Sequence, residues 1–528
     1  MSDNNKTILW IDDEIELLKP HIILLKQRGY NVDTCSNGAD AIELVKQNNY
    51  KLIFLDEMMI GMTGLETLAA IKNYDPSIPV VMATKNEEES LMEEAIGRKI
   101  NDYLTKPINP TQVLLTCKKF LDRDRINKDV FTQDYISGFA QLSAQLFQQQ
   151  DWNSWDMIYR KLVNWSLEID KLGDEGLKET LQGKWNECNQ EFSRFAADNY
   201  QKWLNHPANQ RDNENPIMSP HILDNYLLPI LKQHSKHIYF IVIDCLRYDQ
   251  WLVIQEILSP FFSFKANLYC SILPTATPYA RNSIFAGLYP IDIKKHYPQF
   301  WQVSPNSEEH KQNAFEKDLF QAYLDRKKMD HKKSMAFIKI FDADFGKKIE
   351  REFEKYMKNS LNAIVVNAVD MMSHSRSDFA ILKEIVPDET AYRQLTRSWF
   401  SHSSLFSIMK QIAQQKDAKV IITTDHGAIR CLRGVKVLGD KDTSTNLRYK
   451  FGKNVNSDLK YSLQFEEPTD FKLPKYGLTL NNVIAKENYY FVYPTDYHHY
   501  LMKFKDSFQH GGISLEEMMI PVVECEPK

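Results

Sequence analysis

At 528 residues the chain has room for roughly three domains. Hydrophobic residues make up 43% of it and charged residues 26%, an ordinary globular composition, and a net charge of −5 gives no global basic field for nucleic acid. Seven cysteines without a C-x-x-C pair argue against a thiolate zinc site or a disulfide framework; the charge-interrupted start MSDNNKTILWIDDE is no signal peptide, and no apolar run nears the ~18 residues of a membrane span, so a reduced cytoplasmic protein is expected.

In chain order, TILWID, KLIFLD and PVVMAT are short apolar runs suited to parallel strands buried on both faces. Helical patterns such as GADAIELVKQNN and GLETLAAIKNY lie between them, so residues 1–121 read as a doubly wound α/β domain. From 122 to 204 the period changes. Tyr135, Phe139, Leu142 and Leu146 form one apolar stripe, Trp155, Ile158, Leu162, Trp165 and Ile169 a second, and Leu181, Trp185, Cys188, Phe192 and Phe195 a third. Three stripes broken by QQQDWNS and KLGDEG predict a three-helix bundle. A polar, proline-bearing stretch then reads as a linker over 205–215. Over 216–528 the α/β alternation returns, and IYFIVID, AIVVNAVD and KVIITTD end on Asp244, Asp370 and Asp425. Strand ends of an open parallel sheet converge on one crevice, where three carboxylates repel unless cations neutralise them.

Two sets of residues carry chemistry. In the first segment Asp12, Asp13 and Asp56 end two strands and make an oxygen-rich pocket suited to Mg²⁺; Thr84 ends the next strand, and Lys106 in YLTKPI can neutralise a phosphoryl group. In the third, His374 follows Asp370 by four, His426 follows Asp425, and His510 sits in FQHGGIS. This mix of oxygen and nitrogen donors suits zinc, and also Mn²⁺ or Fe²⁺. SILPTATPYARNSIFAGLYP offers Thr275, Thr277 and Ser283 as hydroxyl nucleophiles for attack on phosphorus between two metals. His310, His331, His498 and His499 lack partner spacing and read as surface or core, as do the basic DRKKMDHKK and the aromatic HYPQFWQ.

The first set resembles the receiver domain of two-component response regulators, over Lys6 to Leu121. The resemblance implies Asp56 as phosphoacceptor, Asp12, Asp13 and Asp56 around magnesium, Thr84 and Tyr103 as switch residues and Lys106 as phosphate partner. Ile60 departs from the family's usual proline, which shapes a loop and does no chemistry. The second set resembles the alkaline phosphatase superfamily, with the PglZ-type domain and the nucleotide pyrophosphatase/phosphodiesterases nearest, over Pro216 to Pro521. It implies Thr277 as nucleophile, one zinc on Asp370, His374 and His510, and a second on Asp244, Asp425 and His426. The phosphodiesterases' phosphate-binding asparagine has no match, which leaves Arg281 and Asn282 as candidates for phosphate contact.

The order receiver, helical middle, PglZ domain resembles the PorX-type response regulators of the type IX secretion system. That resemblance implies a PorY-type histidine kinase, a homodimer formed on phosphorylation, and contacts with a SigP-type sigma factor and the secretion motor. The expected activity is a zinc-dependent phosphodiesterase acting on nucleotides or small cyclic or linear oligonucleotides. The alternative is a signalling adaptor whose metal-bound PglZ domain only binds proteins. The helical middle is expected to carry the coupling between the α/β domains. No helix-turn-helix or basic recognition helix supports direct duplex DNA binding.

Overall fold

A computed structural model describes residues 6–85, 100–148, 150–206, 215–233, 237–303, 312–329, 334–378, 380–440, 444, 446–476 and 481–528. Most of the expected linker, His310, His331 and the end of the basic run (330–333) lie outside the described residues. The chain forms two compact units, 1–140 and 141–528.

In the first unit, β1 (Thr7–Ile11), β2 (Asn31–Cys35), β3 (Leu52–Asp56), β4 (Val80–Thr84) and β5 (Asp102–Thr105) form a parallel sheet in the order 2-1-3-4-5. Residues alternate across it. Ile8, Trp10, Leu52 and Phe54 pack on one face with Ile22 of α1 (Lys19–Gln27) and Val113 of α4 (Pro110–Leu121). Leu9, Ile11, Ile53 and Leu55 pack on the other, with Val45 of α2 (Gly38–Gln47) and Leu68 of α3 (Gly64–Tyr74). The period of two explains why these strands read as unbroken apolar runs: both faces are interior. A capping box between Thr63 and Glu66 starts α3 immediately after the loop that follows Asp56.

The stripes of the middle segment fall on α5 (Arg123–Leu146), α6 (Trp152–Leu172) and α7 (Glu175–Asn205). Asp151 and Asp174 cap the N-termini of α6 and α7 with side-chain hydrogen bonds to Ser154 and Leu177, and Gly173 ends α6 with φ +62°. Trp155, Ile158, Leu162 and Ile169 are buried, with Trp155 edge-on to Phe192 of α7. Burying each such side chain contributes about 1.5–3 kcal/mol. The compact units do not divide at 204: α6 and α7 belong to the second unit, because their other faces are covered by the α/β domain that follows.

That domain is built on a six-stranded sheet of β6 (Ile238–Ile243), β7 (Phe262–Cys270), β8 (Met335–Ile340), β9 (Leu361–Val366), β10 (Lys419–Thr423) and a late strand, Met519–Pro527. The order is β7, Met519–Pro527, β10, β6, β9, β8. Strands β10, β6, β9 and β8 are parallel; Met519–Pro527 runs antiparallel to β10 and β7. Between β10 and that last strand, the short strands β11 (Ile429–Cys431), β12 (Arg433–Leu438), β13 (Tyr449–Gly452), β14 (Asn456–Ser457), β15 (Ser462–Phe465), β16 (Asn481–Ala485) and β17 (Tyr489–Val492) form small sheets, and β18 (Ser507–Gln509) pairs with β11. No helix among the described residues is long and apolar enough to cross a membrane.

Candidate metal centres

In the first unit Asp56 closes β3, Asp12 and Asp13 follow β1, and Thr84 closes β4. The ligand atoms of Asp12, Asp13 and Asp56 lie within 4.8 Å of one another. Lys106, just after β5, places Nζ 2.9 Å from both Asp12 Oδ2 and Asp56 Oδ2. Burial raises the Asp56 carboxyl above the usual range, with Lys106 opposing and Asp12 adding to the rise. Burial also pulls against the Lys106 ammonium, but Asp56 and Asp12 outweigh it and hold the lysine up. Three carboxylates against one ammonium leave a site two charges short of balance, with only oxygen donors, which fits Mg²⁺. Thr84 is buried, whereas Tyr103 is 46% exposed.

In the second unit, strand β6 lies between β9 and β10, so Asp244 and Asp425 meet at neighbouring strand ends; Asp370, expected to end a strand, stands instead in the first turn of the helix that follows β9, because β9 stops at Val366. Asp244 follows β6, and Asp425 and His426 follow β10. Asp370 and His374 stand one turn apart on α10, here the helix Ala368–Asp378, and His510 follows β18. Asp370, His374 and His510 form one cluster and Asp244, Asp425 and His426 another, each with ligand atoms within 4.8 Å.

In the first cluster the distances are 3.3 Å from His510 Nε2 to His374 Nε2, and 3.4 and 3.6 Å from Asp370 Oδ1 to the two imidazoles. A tetrahedron with Zn–N spokes of about 2.0–2.1 Å has edges of about 3.3 Å. The spacing of these three side chains is compatible with ligands around one small divalent cation. In the second cluster His426 Nε2 is 3.8 Å from both Asp244 Oδ1 and Asp425 Oδ2. The rings of His426 and His510 stack at 4.2 Å, which joins the two clusters.

Electrostatics also call for a cation. Burial, partly offset by Arg281 and reinforced by Asp425 and Asp370, pushes the Asp244 carboxyl up to about 8. Burial raises Asp425 too. At Asp370 burial is overcome by His374, His510 and His426, which hold its carboxyl well below the usual range. Burial and His426 push His510 toward neutral imidazole, the form that ligates metal. Among the described residues, Asp425 Oδ2 and Asp370 Oδ1 are buried with no donor in hydrogen-bond geometry. The residues fit two dications.

The glycines of the motifs have steric reasons. A Cβ on Gly427 would meet the Glu516 carbonyl oxygen at 1.9 Å, and Gly511 has φ +115°, which L side chains rarely adopt. Cys245, directly after Asp244, is held at φ +63°, with its N–H donated to Asp425 Oδ1 at 3.3 Å.

The three hydroxyls part company. Thr277 opens the buried helix α11, where α11 denotes Thr277–Ala286, with Oγ1 3.0 Å from His426 Nε2 and 3.4 Å from Asp244 Oδ1. Thr275 donates to Gly512 O at 2.8 Å and accepts from Gly511 N at 3.1 Å, so it ties down the loop after His510. Ser283 is buried further along α11.

Two expectations change. Asn282 gives one amide N–H to Pro278 O and one to Gln312 O, which leaves no donor for a phosphate. Arg281 is fully buried and binds Asp244 at 2.6 Å and Glu316 at 2.6 Å, so it acts as an internal counter-cation to the carboxylates. Glu316 in turn pairs with Lys339 at 2.9 Å. Glu316, Lys339 and the buried pair Arg448–Glu517, whose Glu517 Oε1 accepts Gly512 N, carry no motif in the sequence. Glu316, Lys339 and Arg448 meet the site from separate stretches of the chain, and Glu517 from the turn just after His510.

Comparison with known proteins agrees with this architecture. A response regulator receiver domain matches residues 8–118, a PorX response regulator linker domain 125–204, and a BREX system PglZ alkaline phosphatase-like domain 222–525. Among curated relatives, the transcriptional regulatory protein ZraR of Klebsiella oxytoca is 33% identical over 140 residues, covering 26% of this chain and 32% of the relative. ResD of Bacillus subtilis (strain 168) is 34% identical over 124 residues, 23% of this chain and 51% of the relative. The chain thus spans a third to a half of the length of these relatives. Among solved structures, a two-component response regulator from Clostridium difficile is 28% identical and covers 22% of this chain and 97% of its own, with a TM-score of 0.22. The Francisella response regulator 1452 receiver domain is 23% identical and covers 22% and 98%, also at 0.22. With the three family matches following one another along almost the whole chain, and the PglZ match alone taking more than half of it, this is a two-component response regulator of the PorX type that bears a PglZ alkaline phosphatase-like domain.

Proposed function

We propose that the chain is a phosphorylation-controlled, zinc-dependent phosphodiesterase. A histidine kinase, of PorY type by family, would donate a phosphoryl group to Asp56. Asp12 and Asp13 with Asp56 would hold Mg²⁺, Lys106 would pair with the phosphoryl group, and Thr84 and Tyr103 would respond to it. In the PglZ domain Asp370, His374 and His510 would hold one zinc, and Asp244, Asp425 and His426 the other. Bound zinc would supply Lewis-acid charge that favours an ionised threonine hydroxyl and offsets charge on the phosphoryl oxygens.

The chain's own residues do the rest. Thr277 Oγ1 forms a bond to phosphorus as the ester P–O bond breaks and the alcohol leaves; water then cleaves the threonyl ester. The helix start fixes the Thr277 backbone, and burial of α11 excludes competing water from behind it. Arg281 holds Asp244 in place from the rear. The observation that carries this reading is Thr277 Oγ1 at 3.0 Å from His426, while Thr275 is committed to the neighbouring loop.

The proposed substrates are nucleotides or small cyclic or linear oligonucleotides. The proposed role is control of type IX secretion, through a phosphorylation-induced homodimer and contacts with a SigP-type sigma factor and the secretion motor. The test is bis-p-nitrophenyl phosphate turnover by zinc-loaded, Asp56-phosphorylated protein, wild type beside Thr277→Val. Turnover lost in the variant is the expected result. Equal rates in both would sink the hydrolase. One observation favours the second reading, a non-catalytic adaptor: Arg281 already neutralises Asp244 from within the protein. In that case Thr277→Val leaves secretion intact.

A further inference from the structure

The middle helices touch the loops that carry the C-terminal clusters. On α7 the buried Tyr200 hydroxyl accepts the Leu273 N–H at 2.7 Å, in the loop that leads into Thr277. Asn189, three turns earlier on the same face, accepts the Leu515 N–H at 2.8 Å and donates to Glu516 at 3.0 Å. Ser193 donates to Ile513 O at 3.0 Å. These three partners follow His510 within six residues.

From α6 a chain of buried charges reaches the third loop. Asp170 receives Arg393 in a two-pronged pair, at 2.7 and 3.0 Å. Arg393 also bonds Asp249 at 3.0 Å, and Asp249 receives Arg247 at 2.9 Å. Arg247 stands three residues after Asp244 and pairs with Glu389 at 2.6 Å. Its guanidinium lies 3.5 Å from Ala428 O, two residues after His426, and 5.7 Å from the Phe508 ring, two residues before His510. One arginine therefore touches the neighbourhoods of Asp244, His426 and His510, and it is held through two further links by helix α6. Buried ion chains add little net stability compared with an apolar core; their effect is to fix geometry. Groups that hold ligand-bearing segments tune metal affinity.

We propose that α6 and α7 are a positioning element of the metal centre, with Asp170, Asn189 and Tyr200 setting the loops on which the ligands and Thr277 ride. This rests on the reading of the clusters as zinc sites. Displacing the middle helices would then change metal binding and catalysis with no ligand altered.

The experiment uses the full chain and the variants Asp170→Asn, Asp170→Glu and Tyr200→Phe. Zinc affinity is measured by chelator competition, ligand geometry by the visible spectrum of the Co²⁺-substituted protein, and kcat and KM with bis-p-nitrophenyl phosphate. In folded protein, Asp170→Asn and Tyr200→Phe are expected to weaken zinc and lower kcat about tenfold, with KM held within about twofold. The cobalt spectrum shifts, and Asp170→Glu recovers part of each loss. Wild-type zinc affinity, cobalt spectrum and kcat in both folded variants would overturn the proposal. If the wild type binds zinc without turnover, the hydrolase reading fails, and affinity and spectrum alone decide the positioning role. If Asp170→Asn does not fold, Tyr200→Phe, which loses a single hydroxyl, decides it. A wild type that binds no zinc overturns both.

Discussion

The two acidic centres solve one electrostatic problem in opposite ways. Both stand at the carboxyl ends of parallel strands; the first gathers three side chains that want a cation and the second two clusters of three. In the receiver a lysine reaches in and spans Asp12 and Asp56, and those carboxylates hold its ammonium up. In the PglZ domain the counter-charge is a fully buried arginine, and even so burial pushes Asp244 to about 8. A flexible lysine can swing to an arriving phosphoryl group. A rigid guanidinium locked between Asp244 and Glu316 cannot, so that centre suits resident ions. Two lysines make the same contrast. Lys106 has two carboxylates beside it, whereas Lys450 on β13 donates to the Ser444 carbonyl and lies 4.7 Å from the Tyr493 ring, and burial pushes its ammonium down to about 7.

The comparison can be broken at four points, from the largest effect to the smallest. Asp56→Asn should abolish labelling by acetyl phosphate altogether, while zinc content of the PglZ domain stays at wild-type level; residual labelling would move the phosphoacceptor elsewhere. Thr277→Val should lower diester turnover by at least about 10³-fold with zinc still bound. Arg281→Met should leave Asp244 uncompensated and Glu316 paired with Lys339 alone among the described residues, at a cost of about 3–5 kcal/mol in the metal-free protein by urea unfolding. Zinc should restore part of that loss, and an unchanged midpoint would show that Arg281 is not the counter-cation.

The smallest effect concerns pH. Lys450 has a folded pKa of about 7, below the ~10.4 of an unfolded lysine. Between these values the unfolded chain binds the extra proton, so stability rises with pH across that window by up to about 1 kcal/mol per unit. Below pH 7 both states carry the proton and the contribution is flat. Lys450→Met should remove this slope in urea titrations at about pH 7.5, 8.5 and 9.5. A slope that persists in the variant would assign it to another group.

Some of this was legible in the residues. Apolar runs ending on Asp56, Asp244 and Asp425 announced strands with acids at one edge, because the buried-strand pattern is local, whereas Asp370 fell on the helix after its strand. The spacing of Asp370 and His374 is one helical turn wherever it occurs. The stripes on α5, α6 and α7 followed from the 3.6-residue period. Local pattern could not say what those stripes would pack against, and two of the three helices cover the α/β domain.

Nor could local pattern separate the hydroxyls, although the family resemblance implied Thr277. Thr275 and Thr277 are two residues apart, and only the fold turns one toward His426 and the other toward Gly511 and Gly512. Asn282 looked like a phosphate donor until the fold spent both its N–H groups on carbonyls. Glu316, Arg393 and Asp170 have no signature, since a buried ion pair is defined by its partner and the partner lies tens to hundreds of residues away. The sequence by itself determined the strand edges, the ligand types and the family. The tertiary structure decided which side chains face each other, because burial and charge pairing depend on distances in space that local periodicity does not encode.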